Sequence, residues 1–163
     1  MNPCCLEAIW GNALFTMHAN LPIKKILIGI NITDLSRLAF YTGLTQAAAY
    51  GAETWVLHVA EPIRAFDFAK KRYVETKETI ERLEEGVQAR LDELWSDGGL
   101  ESVDRRKVHL LVRGAGKASQ EIVDTAIAKE VDLIVIGAGT GPTAEIVVRN
   151  APCSVLSIRP PRD

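Results

Sequence analysis

The sequence predicts an α/β domain: a parallel five-stranded sheet in the order 3-2-1-4-5, with helices on both faces. Two observations carry this. Five short apolar runs recur along the chain, at 23–30, 54–59, 107–112, 131–136 and 153–158, and segments with helical patterning separate them. The first and fourth runs, IKKILIGI and VDLIVI, are apolar at nearly every position, as strands covered on both faces must be. Strict alternation of strand and helix, joined by right-handed crossovers, gives a doubly wound sheet. Ligands of such sheets sit beyond the carboxyl ends of the strands, where the winding reverses.

The first helix follows the first strand in DLSRLAFYTGLTQAAAYGAE. Asp34 is suited to cap its start and Gly51 to end it. Phe40, Gly43, Leu44 and Ala47 recur at i, i+3, i+4 and i+7 and mark its buried face. Gly43 inside a helix costs about 1 kcal/mol relative to alanine, so close packing on the sheet is expected there. The second strand, TWVLHV, leads into a loop, AEPIRAFDFAKKR, and then a longer helix from about Tyr73 to Trp95. Ile80, Leu83, Val87, Leu91 and Leu94 form its apolar stripe, and Glu78 with Arg82 is a favourably oriented i, i+4 pair. Phe66 and Phe68 are expected to fill the space beneath the loop. The third strand is KVHLLV. The helix after it starts with Ser119 as N-cap, has Glu121 in its first turn and turns Ile122, Ala126 and Ile127 inward. The last helix spans about 143 to 150 and stops before Pro152, because the residue preceding a proline is pushed out of helical geometry. Residues 1–20 carry no such pattern and read as a flexible extension; 21–163 read as one domain.

The bulk composition excludes several classes. Of 163 residues, 47% are apolar and 25% charged, ordinary for a globular domain. A net charge of −2 offers no basic excess to neutralise a run of phosphates, so nucleic acid is not expected as a partner. No apolar stretch approaches the about 18 residues of a membrane span. The three cysteines, Cys4, Cys5 and Cys153, have neither metal-ligand spacing nor an even count, and point to reduced thiols in a cytoplasm. Cys153 reads as a small apolar residue opening a strand.

Two glycine-rich stretches invite a phosphate reading. VRGAGKAS, at 112–119, resembles the end of a P-loop, but Ala118 follows Lys117 where a hydroxyl should stand, and Leu111 occupies the first glycine position. It is expected to be a strand-to-helix turn that uses glycine for its backbone freedom. GAGTGP, at 137–142, departs from G-x-G-x-x-G and has no following strand to carry a ribose-binding acid, which disfavours a dinucleotide. Its position still matters. Glycines between a buried strand and a helix expose backbone N–H groups, and the helix N-terminus adds about half a positive charge. No G-x-S-x-G elbow or H-E-x-x-H motif is present, and His18, His58 and His109 lack ligand spacing, so neither catalytic residues nor a metal site are expected. His58 reads as a satisfied structural histidine.

At this level of detail the chain resembles the universal stress protein family. KKILIGIN is similar to that family's first strand, GAETWVLHVAEP to its second, and VDLIVIG and RNAPCSVLSI to its fourth strand and the entry to its fifth. The likeness covers about Ile23 to Pro160, and it implies a Rossmann-like domain of the adenine-nucleotide hydrolase type, a homodimer formed through the last strand, and ATP or AMP as ligand. In nucleotide-binding members the fourth strand leads into Gly-x-x-Gly, a longer insert, and then Gly-Ser or Gly-Thr. Here Gly137 matches the first glycine, Thr140 stands where the second would be between Gly139 and Gly141, the insert is missing, and Pro142 replaces the hydroxyl residue. Asn31 replaces the family's usual aspartate after the first strand. Proline supplies no N–H, so donors to a phosphate are lost.

The resemblance therefore implies a shortened cradle. Gly29 and Asn31, Val59 and Ile136 are expected to line an adenine slot, with Gly137, Gly139, Gly141 and Thr143 near the phosphates. The expected function is a non-catalytic stress-response module with weak or no adenine-nucleotide binding, acting through dimerisation and partner proteins. A competent ATP-binding switch is the alternative, and a flavin-binding module like the electron-transfer flavoproteins a more distant one. Val155, Leu156 and Ile158 are the candidate dimer edge, with Arg159 and the prolines after it limiting growth past two chains.

Overall fold

A computed structural model describes residues 23–160 apart from 32–33, 61–64, 68, 75–76, 98, 115 and 140. Five strands form one parallel sheet: β1 (Lys25–Ile30), β2 (Glu53–Val59), β5 (Val108–Arg113), β6 (Leu133–Gly137) and β7 (Ser154–Ile158). Their order is β5-β2-β1-β6-β7, and every pairing is parallel. With the predicted strands numbered one to five, this is 3-2-1-4-5. Each predicted strand lies within two residues of its observed limits.

The sheet is covered on both faces because side chains alternate along each strand. Ile26 and Ile28 of β1, Val56 of β2 and Val135 of β6 point to one face. There they meet α1 (Asp34–Tyr50) and α2 (Lys77–Ser96). Leu27, Leu57, Ile134 and Ile136 point to the other, against α3 (Ala118–Lys129) and α4 (Thr143–Asn150). Burial of the central positions of β1 and β6 is complete or nearly so.

Helix α1 buries the predicted stripe of Phe40, Gly43, Leu44 and Ala47, and Gly51 ends it with a φ of 63°. The expectation for Gly43 holds: a Cβ there would lie 2.5 Å from Ile28 Cδ1. The side chains of Asp34, Phe66, Phe68, Glu78 and Ile80 lie outside the described residues, as do residues 1–20 and 161–163.

Three local expectations are corrected. The segment before α2 is not a simple loop: Ala65–Asp67 (β3) and Arg72–Val74 (β4) pair as a small antiparallel hairpin, and the helix begins only at Lys77. Lys71 in the hairpin turn has a φ of 51°, a conformation lysine seldom takes and sequence patterning does not flag. Second, Ser119 is not the N-cap of α3. Lys117 holds that position without a side-chain cap, and Ser119 is a buried helical residue. Third, Ile127 is 58% exposed while Val123 is buried in its place. The inward face of α3 therefore runs through Ser119, Ile122, Val123 and Ala126.

Candidate functional site

The winding reverses between β1 and β6, since α1 carries the chain from β1 to β2 on one side and β6 lies on the other. Beyond the carboxyl ends of these two strands lies a cleft of about 500 Å³, large enough for a small-molecule ligand. Its floor is apolar. Gly29 of β1 lies between Ile136 and Ile122, which a Cβ at that position would approach to 3.0 and 3.3 Å. No larger residue fits at Gly29 without moving them, so the floor there is bare backbone. Val59 and Leu57 extend it along β2, and Ile136 closes it on β6.

The rim is polar. Asn31 ends β1, and its backbone N–H donates to Ser36 Oγ at 2.7 Å. The Ser36 hydroxyl in turn donates to Asn31 Oδ1. This reciprocal pair ties the end of β1 to the first turn of α1 and engages the carbonyl oxygen of the Asn31 amide. Across the cleft, Gly137, Gly139, Gly141 and Thr143 line the passage from β6 into α4. A Cβ on Gly141 would meet nothing within 4 Å. Packing against the described residues therefore does not explain that glycine, in contrast to Gly29.

The amides of this passage are unequal as donors. Ala138 N–H is taken by the Ile158 carbonyl at 2.7 Å, which ties the passage to β7. Pro142, the N-cap of α4, has no N–H and makes no side-chain cap. The first amide of α4 with an intrahelical partner is that of Ile146, which donates to Pro142 O at 3.0 Å. Thr143, Ala144 and Glu145 thus supply the N–H groups that a helix start leaves without intrahelical partners. Glu145 also places a carboxylate in that first turn, where it accepts from Arg149 Nη2 at 2.8 Å. Its charge opposes a second anion close by.

None of the described residues lining the cleft is ionisable. Nearby, Lys117 caps the start of α3 and its side chain is exposed. The glycine pair preceding it forms a strand-to-helix turn, as expected. At Gly116 a Cβ would fall on the Glu121 carboxyl group, the end of a flexible side chain that would have to move aside. His58 is buried, and its Nδ1 lies 3.3 Å from the Ile30 carbonyl, a structural contact. Cys153, just before β7, is half-buried against the core cluster on the α3/α4 face of the sheet. Burial, then the charge of Asp132, raises its thiol pKa above the ordinary value and keeps it protonated. Among the described residues no group of histidine, cysteine and carboxylate side chains could hold a metal.

All eight residues expected around a nucleotide line this one cleft. Patterning did not assign Ile30, Ser36, Leu57, Ala118, Ile122 and Ala144 to it. Ile122 was read as core from its helical spacing, and it is core; no periodic signal says that its edge also faces a cleft. Ser36 becomes relevant only because the turn brings it back onto Asn31.

The family model for the universal stress protein family matches residues 22–159. The chain belongs to the universal stress protein family. A curated relative from Thermus aquaticus, the universal stress protein in the QAH/OAS sulfhydrylase 3′ region, is 30% identical over 145 residues, covering 83% of this chain and 98% of the relative. Among solved structures, the universal stress protein UspA from Lactobacillus plantarum superposes with a TM-score of 0.64 at 24% identity, covering 86% of this chain and all of that one. The universal stress protein from Archaeoglobus fulgidus in complex with dAMP superposes with a TM-score of 0.56 at 20% identity, covering 84% of this chain and 98% of that one. At these identities the structures establish a shared fold. Among the described residues of this universal stress protein, no helix is long and apolar enough to cross a membrane.

Proposed function

We infer that this universal stress protein is a non-catalytic cytoplasmic regulatory module. It takes an adenine nucleotide with few phosphates, AMP in preference to ATP, and works as a homodimer on protein partners. The observation that carries the reading is the composition of the cleft at the β1/β6 switch point. Its apolar floor of Gly29, Val59 and Ile136 suits a purine ring. Among the described residues its rim offers backbone amides but no cation for phosphate charge, and no general acid or base. The start of α4 favours one phosphate through its amides and dipole. Three phosphates would need donors that Pro142 cannot give and that the shortened passage does not contain. The dAMP complex of an Archaeoglobus fulgidus relative supports a monophosphate.

Isothermal titration of the full chain with AMP and with ATP tests this. The expected result is weak AMP binding and weaker ATP binding, with no phosphate release from ATP. Gly141→Val places a branched side chain where a Cβ meets no described atom within 4 Å, and it should abolish AMP binding while leaving the melting temperature within a degree or two. Tight ATP binding would instead establish the competent ATP switch. AMP affinity unchanged by Gly141→Val would place the nucleotide elsewhere.

A further inference from the structure

Two helix starts frame the cleft at the β1/β6 switch point, that of α3 at Ala118 and that of α4 at Thr143 and Ala144. Among the described residues, the side-chain charges at each start come in opposite pairs. On α3, Lys117 is exposed, and Glu121, one turn on, lays its carboxyl group beside Gly116. On α4, Glu145 stands in the first turn and Arg149 one turn further from the cleft, the two joined at 2.8 Å. Both members of that pair are more than half exposed, so solvent screens it. Arg113 ends β5, two strands from β1, and gives its guanidinium to the Val112 carbonyl. His58 is buried with its Nδ1 at the Ile30 carbonyl.

What this leaves for an anion is main chain. The amides of Thr143, Ala144 and Glu145 and the α4 dipole present about half a positive charge. That suits one negative charge. A second finds no described cation lining the cleft, and the Glu145 carboxylate, in the same turn as these amides, repels it. A charge withdrawn from water without a partner is costly. A phosphate monoester loses its second proton near pH 6, so about one molecule in thirty is singly charged at pH 7.5 and about three in four at pH 5.5.

We propose that this cleft takes an adenylate whose phosphate is singly charged, with Glu145 as the residue that disfavours the second charge. The inference rests on the AMP reading of the same cleft. AMP binding then carries a proton, taken from solvent onto a phosphate oxygen. The sign follows from the ligand: the gain is complete below about pH 6, where the singly charged form already dominates in solution, and affinity falls as pH rises through that value.

The test is isothermal titration of the full chain at pH 7.5 and 5.5 with AMP and with its phosphate methyl ester, which stays singly charged at both. AMP is expected to gain about fivefold or more in affinity on acidification and to take up a proton at pH 7.5, read from two buffers of different ionisation enthalpy. The methyl ester is expected to bind more tightly than AMP at pH 7.5 and to change little with pH. Glu145→Gln, an exposed substitution, should narrow the ratio between the two ligands at pH 7.5 about threefold. The proposal is overturned if AMP affinity is the same at both pH values, if AMP binds more tightly than its methyl ester at pH 7.5, or if the ester gains as much as AMP on acidification, which would mean that a protein group such as His58 titrates instead. A ratio untouched by Glu145→Gln overturns the role given to that residue. Each of these results leaves AMP bound and its reading standing; failure of AMP to bind at either pH removes both.

Discussion

Glycine does three different things in this chain, and only the surroundings distinguish them. Gly51 supplies the positive φ that ends α1. Gly43 makes room: it lets α1 settle onto β1, with Ile28 Cγ1 and Cδ1 at 2.6 and 2.5 Å from where a Cβ would be. Gly141 and Gly86 do neither and border clefts. The prediction at this scale concerns Gly43→Ala. Better helix propensity would add about 1 kcal/mol, but overpacking a core typically costs about 1–3 kcal/mol, and Ile28 is fully buried. Net destabilisation of about 1 kcal/mol is expected, read as a lower urea midpoint at unchanged slope. A higher midpoint would mean that Ile28 repacks freely.

At the scale of the element, the short helix α4 decides how well the cleft handles charge. Its eight residues start after a proline, so the N-cap contributes neither an N–H nor a hydroxyl. Pro142→Ser restores both. A capping serine stabilises a helix start by about 0.5–2 kcal/mol relative to a residue that cannot cap, and a charge-assisted hydrogen bond adds about 1.5–3 kcal/mol where it forms. The variant should therefore melt higher and bind AMP roughly tenfold more tightly by calorimetry. A higher melting temperature with unchanged affinity would separate the two effects and move the phosphate away from α4.

At the scale of the whole molecule, β7 is the exposed consequence of the topology. It lies at the end of the sheet order, and its Ile158 carbonyl accepts from Ala138 N–H. By the alternation of a strand, the main-chain groups of Val155 and Ser157 then face away from β6. Val155, Leu156 and Ile158 are half-buried against the chain's own two core clusters, leaving part of each exposed at the edge. An edge of this kind invites pairing with a second chain. Val155→Lys should convert a dimer to monomers in sedimentation velocity, with circular dichroism unchanged. A dimer that survives the substitution would have its interface on another surface.

What the sequence by itself determined is the alternation of five strands with helices and the glycine-rich passage after the fourth strand. Those signals are local: apolar runs, helical spacing and turn residues each act within a few positions of the chain. The same locality explains the errors. The β3–β4 hairpin carries no turn motif of the usual kind, and Ile127 has inward spacing but sits where α3 has turned to solvent. Only the tertiary structure decided which residues share a space. Ser36 reaches the cleft at the switch point through its hydrogen bonds with Asn31, and Arg37 of α1 lines a cleft together with Arg82 and Arg90 of α2 on the other sheet face. Cavities arise from elements far apart in sequence, and no periodicity along a chain encodes the gap between two of them.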